Sequence, residues 1–159
     1  MIEKFFKGLM SGTLDSRTSE PALYVLTPLM AERLDRWAEY FPDYDLVVGY
    51  SLLGHVFLRS SANKEYAVLH PFKKAAKSYG VFASASDFEN DVLKEAGFSD
   101  YVLRSAHLDA VRKIVGPVGV DEIYIPKPYP FMGGSDEPET YSRGNIWVFL
   151  SIVAQAHGL

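Results

Sequence analysis

The strongest constraint on the fold is a series of short β-forming runs in the middle of the chain. The runs cover residues 46–50, 55–59 and 65–70, and the last two are separated by the polar residues 60–64. A polar connection of five residues between two such runs is typical of a β-hairpin. A fourth run over 76–82 predicts one more strand. We therefore expect an antiparallel meander.

Patterns typical of helices precede the meander. Apolar residues recur at helical spacing over 2–10 and predict a short amphipathic helix. Thr27 before Pro28 is the pair expected at the N-cap and first position of a helix, and it predicts a second helix that ends near Pro42. Residues 1–43 are thus predicted to form a helical region.

Two more helices are expected after the meander. Ser86 and Glu89 have the spacing of a capping box and predict a helix over 87–96 that stops at Gly97. An apolar stripe over 103–115 predicts the next helix, because the chain then continues into a glycine and a proline.

The last third of the chain combines a strand, a proline-rich stretch and an apolar helix. Residues 121–125 resemble a short strand, and the three prolines between 126 and 130 forbid regular structure. Residues 146–154 keep a helical period but are apolar nearly all round, which is normal for a buried helix.

Grouped strands with helices before and after them predict the α+β class rather than alternating βαβ units. We expect a central antiparallel sheet, a meander, with flanking helices and a buried C-terminal helix. A chain of 159 residues has the usual size of one domain. The predicted domain covers residues 1–159, with 1–43 as its N-terminal helical region and 44–159 as its main part.

Charge and cysteine content exclude several classes of function. The chain has 16 basic and 20 acidic side chains, a formal charge of −4, so we expect no affinity for nucleic acid or anionic membranes. It contains no cysteine, which rules out disulfides, thiolate metal sites and cysteine nucleophiles. Neither a signal peptide nor a membrane-spanning stretch is recognisable. The expected location is the cytoplasm.

The histidines provide the only candidates for an active site. None of the four has the spacing of a metal-binding helix motif, so we predict no metal site and no cofactor. No Gly-x-Ser-x-Gly nucleophile motif occurs either. A small hydrolase or ligand-binding protein would therefore use His70, at the end of a predicted strand, or His55.

Two acidic clusters are candidates for a partner-binding surface. One surrounds the predicted capped helix and the other lies in the late loop, close to Tyr141; their predicted contact residues are Asp87, Glu89, Asp91, Ser135, Asp136, Glu137, Glu139 and Tyr141. Such clusters are often no more than a solvated helix face that complements a helix dipole. Alternatively, they form a surface complementary to a basic protein, with nearby aromatic side chains as anchors.

Two stretches of sequence resemble a known family. One runs from Gly49-Tyr50 through Gly54 to the His-Pro pair at 70–71. The other begins at Gly116-Pro117, continues through Glu122 and Tyr124 to Gly133-Gly134, and ends in the apolar segment 150–155. Together they resemble the C-terminal domain of type VI secretion system immunity proteins, which often follows a GAD-like domain.

The resemblance covers residues 46–155 and implies inhibition by binding rather than catalysis. Members of the group protect a bacterium from its own DNase effector, so it implies a toxin inhibitor whose partner is a basic nuclease that acts in the cytoplasm. It also implies that the glycines and aromatic residues of both stretches are structural. A general interaction scaffold of the SMI1/KNR4-like group, which has similar Gly-Tyr and strand patterns, is the third possibility.

Overall fold

A computed structural model describes residues 21–159, in which helices pack around two antiparallel sheets. The predicted helix over 2–10 lies outside the described residues. The strands are β1 Tyr24–Met30, β2 Leu46–Ser51, β3 Val56–Arg59, β4 Glu65–His70, β5 Ala75–Val81, β6 Glu122–Pro126 and β7 Tyr141–Asn145. The helices are α1 Arg36–Tyr40, α2 Ala85–Phe88, α3 Ala96–Tyr101, α4 Ser105–Val115 and α5 Ile146–Ala156, and a π-helical turn, Glu89–Leu93, follows α2.

The first five strands form one sheet in the order β1-β2-β3-β4-β5, with every neighbouring pair antiparallel. This is the predicted meander, and the α+β class is confirmed. The hairpin predicted at 60–64 joins β3 to β4. Consecutive strands can pair in this way because a short connection suffices between antiparallel neighbours.

Both faces of the sheet are covered at its central strands, β2 to β4. Alternate residues of a strand point to opposite faces, so Val47 belongs to one apolar core and Val48 to the other. Helices α1, α4 and α5 and strand β6 cover the first face, while α2, the π-helical turn and α3 cover the second. Burial on both sides explains why the strands read as nearly continuous apolar runs.

The predicted helix start at Thr27-Pro28 is wrong, because both residues lie in β1. Proline has no N–H group to donate, so it is tolerated only where a strand needs no donor. Such a place exists here, since β1 is an edge strand whose register shifts between Leu26 and Met30. Pairing with β2 outweighs the local preference, and only the short α1 remains of the predicted helix. β1 therefore hydrogen-bonds across the expected boundary at residue 43.

The predicted capping box is also shifted. Ser84, not Ser86, is the N-cap, and its Oγ accepts a hydrogen bond from the N–H of Asp87 at 3.1 Å. Gly97 does not end a helix but lies inside α3, which is capped by the side chain of Glu95. Two short helices with a π-helical turn replace one helix here, and this arrangement buries Phe88, Leu93 and Phe98 against the sheet.

The C-terminal helix is confirmed and begins at a well-formed cap. Asn145 accepts hydrogen bonds from the N–H groups of Trp147 and Val148. The inner face of α5 is buried, whereas Val148 is 57% exposed and Ile152 46% exposed on its outer face. Strand β7, which the sequence analysis did not predict, pairs with β6 just before this helix. No helix within residues 21–159 has the length and apolar character required to span a membrane.

Candidate functional site

The two candidate histidines line one pocket of about 460 Å³. It lies where the end of the β3–β4 hairpin meets the proline-rich loop 126–140 and α5. Its walls combine apolar and charged side chains, namely Leu53, His55, His70, Pro71, Phe72, Lys73, Tyr101, Val102, Arg104, Pro126, Pro130, Phe131, Asp136, Tyr141 and Phe149. A volume of this size is typical of small-molecule sites.

The hairpin register brings the histidines together. Val56 pairs with Leu69, so the next pair outward along the ladder is His55 and His70. Their rings meet edge to face, with centroids 4.9 Å apart. Spacing along the chain gives no sign that these two histidines are in contact. The predicted hairpin is the signal that could have shown it, because its register places them opposite each other.

Ser51 fixes the protonation of the His55 ring. The Ser51 Oγ accepts hydrogen bonds from the backbone N–H groups of Leu53 and His55, at 3.3 and 3.0 Å. Because both lone pairs are then used, its hydroxyl proton is free to be donated to His55 Nδ1, 2.8 Å away. Nδ1 is therefore an acceptor, and the proton of the neutral ring sits on Nε2, which is left as a donor.

The pocket keeps both imidazoles neutral. Burial, reinforced by the positive charges of Lys73 and Arg104 and by His70, lowers the pKa of His55 from 6.5 to about 3. Burial, followed by Lys73 and Lys77, also lowers the pKa of His70. At neutral pH the two rings thus act as polar, uncharged groups.

The titration of the half-buried His55 makes stability depend on pH. Its pKa is lower in the folded chain than in the unfolded chain, so below pH 6.5 the unfolded chain binds the proton first and gains stability. We expect the folded state to lose about 2 kcal/mol between pH 6.5 and pH 5 from this residue alone. Urea unfolding across this range should show a weaker pH dependence for His55→Asn than for the natural chain. A ring titration of His55 with a midpoint above pH 5 by NMR would contradict this assignment.

The geometry does not support a serine hydrolase. The hydroxyl that meets His55 belongs to Ser51, whose side chain is 1% exposed and already bonded to two backbone groups. No hydrogen bond joins His55 or His70 to a carboxylate among residues 21–159, so the base would have no orienting acid. The same part of the chain contains no cluster of three or more potential metal ligands. Both histidines nevertheless border a pocket, which is compatible with ligand binding.

Arg104 and the late acidic loop form one rim of the pocket. Arg104 is the N-cap residue of α4, in a left-handed conformation, and its Nη2 lies 3.0 Å from Asp136 Oδ2. Next to this ion pair, the hydroxyl of Tyr141 lies 3.1 Å from His107 Nε2. Burial raises the pKa of Tyr141. Asp136 and Tyr141, two of the predicted partner-binding residues, thus make contacts within the chain. Ser135, Glu137 and Glu139 are exposed.

The first acidic cluster surrounds a second groove. Asp91 and Glu95 line this groove of about 350 Å³, together with Phe98 and Tyr101. Asp87 and Asp91 are exposed, whereas Glu89 is half-buried and accepts a hydrogen bond from the Tyr24 hydroxyl at 2.6 Å. Of the three acidic residues predicted here, Glu89 is therefore the one already committed to an internal contact.

Tyr101 connects the two acidic clusters. It lines the groove that contains Asp91 and also the pocket that contains Asp136, and its side chain is 85% exposed. Val102 is likewise shared by both walls. Tyr101 was not predicted as a site residue. Spacing along a helix does not show which aromatic residue of α3 is exposed to solvent.

The two signature stretches contact each other. The N–H of Tyr124 donates to the carbonyl of Leu52 at 2.9 Å, and the Tyr124 hydroxyl donates to the carbonyl of Gly116 at 2.6 Å. Gly54 packs directly on the Phe149 ring, and a Cβ at Gly49 would lie 2.4 Å from the carbonyl oxygen of Val25. These contacts are structural, and the family resemblance itself stays a prediction.

The remaining signature residues also have structural contacts. Glu122 accepts a hydrogen bond from the N–H of Gly119 at 2.7 Å, and the carbonyl of Pro117 accepts one from Arg143. Tyr50 is buried and meets Trp147 edge to face. The Gly133-Gly134 pair forms a tight turn, with the N–H of Gly134 bonded to the carbonyl of Tyr129.

Comparison with solved structures shows a similar fold at low sequence identity. The crystal structure of Atu4351 from Agrobacterium tumefaciens matches with a TM-score of 0.50 and 19% sequence identity. The match covers 70% of this chain and 54% of the other, so this chain spans about half of that protein. The α+β fold is shared. No family profile and no curated protein sequence matches the chain.

Proposed function

We propose that the chain is an immunity protein that neutralises a cognate antibacterial toxin by binding it, without catalysis. The toxin class implied by the sequence resemblance is a basic DNase effector of a type VI secretion system, and the site of action is then the cytoplasm. The observation that carries the proposal is the position of Tyr101, an exposed aromatic side chain on the wall shared by two acid-bearing depressions.

This arrangement has the composition of a protein interface. Tyrosine is among the residues that most often dominate interface energy, because its large ring is desolvated at little cost in conformational entropy. Acidic residues beside such an anchor, here Asp91 and Glu95 in the groove, attract a basic partner and disfavour an acidic one. The depressions on both sides of Tyr101 can receive side chains of the partner, and the net charge of −4 supports the same polarity.

The acidic surface also fits a nuclease as target. A nuclease must attract phosphates, so its cleft is positive and is complementary to exposed carboxylates. Asp87, Asp91, Glu137 and Glu139 are exposed and can approach such a cleft. Binding there would exclude DNA without any chemical step.

Replacing Tyr101 by alanine tests the proposed anchor. We expect Tyr101→Ala to weaken the complex with the toxin by about 2 kcal/mol, or roughly 30-fold in Kd, because a central aromatic contact is lost. Tyr101→Phe keeps the ring and should retain most of the affinity. Val120→Ala, at a side chain that is 91% exposed, is the control for a surface truncation. Equal affinities of Tyr101→Ala and Val120→Ala, measured by calorimetry with both variants folded, would remove Tyr101 from the interface.

Charge reversal tests the role of the first acidic cluster. The double variant Asp87→Lys/Asp91→Lys should lower the association rate about tenfold at low salt, because steering towards a basic partner is lost. Glu39→Lys/Asp43→Lys makes the same change in net charge at exposed positions near α1, and should leave the rate nearly unchanged. Stopped-flow measurements of the association rate at several salt concentrations compare the two double variants. Equal slowing by both would show that the rate depends on net charge and not on the position of the first acidic cluster.

The function as a whole is tested with toxins encoded beside the gene for this chain. Co-expression should restore growth of cells that produce the toxin, and the two proteins should elute together on size exclusion. Failure of both with every neighbouring toxin would reject the proposal. Stable complexes with several unrelated proteins would instead favour the SMI1/KNR4-like scaffold.

A further inference from the structure

The pocket that contains His55 and His70 has two chemically different parts. One part is aromatic: the Phe72 ring lies 5.7 Å from that of Phe131 and 5.5 Å from that of Phe149, measured between centroids. The other part carries the charged side chains of Lys73, Arg104 and Asp136. A site of this kind fits a ligand with an apolar body and one polar end.

The polar part offers mainly hydrogen-bond donors. His55 presents Nε2–H, because Nδ1 is taken by the Ser51 hydroxyl. Arg104 has five N–H donors, of which the contact from Nη2 to Asp136 uses only a part, and Lys73 adds an exposed ammonium group. A set of donors with so few acceptors favours an anionic ligand group over a neutral one.

The net charge of the polar part of the pocket favours a monovalent anion. Lys73 and Arg104 contribute two positive charges, Asp136 cancels one, and the histidines are uncharged at neutral pH. The excess of about one charge matches a carboxylate better than a phosphate dianion. A planar carboxylate can also accept two parallel hydrogen bonds from a guanidinium.

From these observations we infer that the pocket binds a small monocarboxylate with an aromatic or branched apolar tail. The carboxylate lies against Arg104 and His55 Nε2, and the tail lies among Phe72, Phe131 and Phe149. This pocket adjoins the proposed toxin-binding surface, because Tyr101 and Asp136 line it, but the inference of a ligand does not rest on the toxin-neutralising function.

Phenylacetate is the probe that tests this site in the full chain. Calorimetry at neutral pH should give a Kd of about 1 mM or lower, as expected for a ligand of its size. Phenylacetamide has the same shape without the charge and should bind at least about tenfold more weakly. Inorganic phosphate should not compete. In NMR spectra, the ring resonances of His55 and His70 should shift with phenylacetate and remain unchanged with phenylacetamide at equal concentration.

Two variants with opposite expected effects test whether Arg104 binds the carboxylate of phenylacetate. Arg104→Gln should weaken phenylacetate binding about tenfold, whereas Asp136→Asn should strengthen it several-fold, because the competing carboxylate is removed. Arg143→Gln is the matched control, since this exposed arginine on β7 does not line the pocket. The Asp136→Asn result does not depend on how well Arg104→Gln folds.

The inference is overturned by any of three results. These are no binding of phenylacetate at about 10 mM, equal binding of phenylacetate and phenylacetamide, or tighter binding of phosphate than of phenylacetate. Loss of toxin binding in the Asp87→Lys/Asp91→Lys variant should leave phenylacetate binding unchanged, because neither residue lines this pocket.

Discussion

Trp37→Ala should lower the free energy of unfolding by about 4 kcal/mol, the largest effect expected of any single substitution discussed for this chain. The indole is 1% exposed, and its Nε1–H donates to the carbonyl of Leu150 at 3.0 Å. It also stacks on Phe41, with ring centroids 6.3 Å apart. Alanine would leave a cavity between α1 and α5 and would remove the hydrogen bond to the Leu150 carbonyl.

Urea unfolding measures this effect, and two variants separate its causes. Trp37→Phe keeps an aromatic ring but loses the hydrogen bond, so a smaller loss of about 1–2 kcal/mol is expected. Tyr40→Ala, at a neighbouring side chain that is 44% exposed, should cost less than either. A loss below about 1 kcal/mol for Trp37→Ala would show that α1 contributes little to the core.

Gly134→Ala should destabilise the chain by about 3 kcal/mol and displace the late acidic loop. A Cβ at this position would lie 1.9 Å from the carbonyl oxygen of Pro128 and 3.0 Å from that of Tyr129. Both contacts are with backbone, so the loop itself must move. Since this loop carries Phe131 and Asp136, the pocket and its ion pair with Arg104 should be disrupted together.

The adjacent glycine is a control for the cause of this effect. Gly133 has a φ of +93°, but nothing lies within 4 Å of its Cβ position. Gly133→Ala therefore introduces backbone strain without a clash, and we expect a loss of about 1 kcal/mol. Urea unfolding measures both losses, and phenylacetate affinity reports on the pocket. Equal effects of the two substitutions would mean that conformation, rather than close packing, determines the turn.

The late acidic loop was predicted from the sequence only in part. The loop 135–139 was selected for its acidic residues, and these side chains and Ser135 are exposed. Its contact with Arg104 could not be predicted, because the ion pair joins residues 32 positions apart across the mouth of a pocket. Similarly, Tyr101 differs from the buried Phe98 only in the direction it faces within α3.

The errors have a common physical origin. Thr27-Pro28 and Ser86-Glu89 satisfy local rules for helix starts, each of which is worth only about 1 kcal/mol. Pairing of a whole edge strand, or burial of Phe88 and Phe98, involves more free energy, so the local preference was overruled.

Local patterns along the chain were enough to predict the β2 to β5 meander, the apolar helix α5 and the acidic character of the surface. These follow from residue type, periodicity and turn chemistry, which act over a few neighbours along the chain. Two arrangements are visible only in the folded chain: His55 and His70 share a pocket with Arg104, and Tyr101 is exposed between two acidic groups. Both arrangements depend on how helices and loops pack onto the two faces of the sheet, and that packing is the sum of many weak contacts between residues distant in sequence.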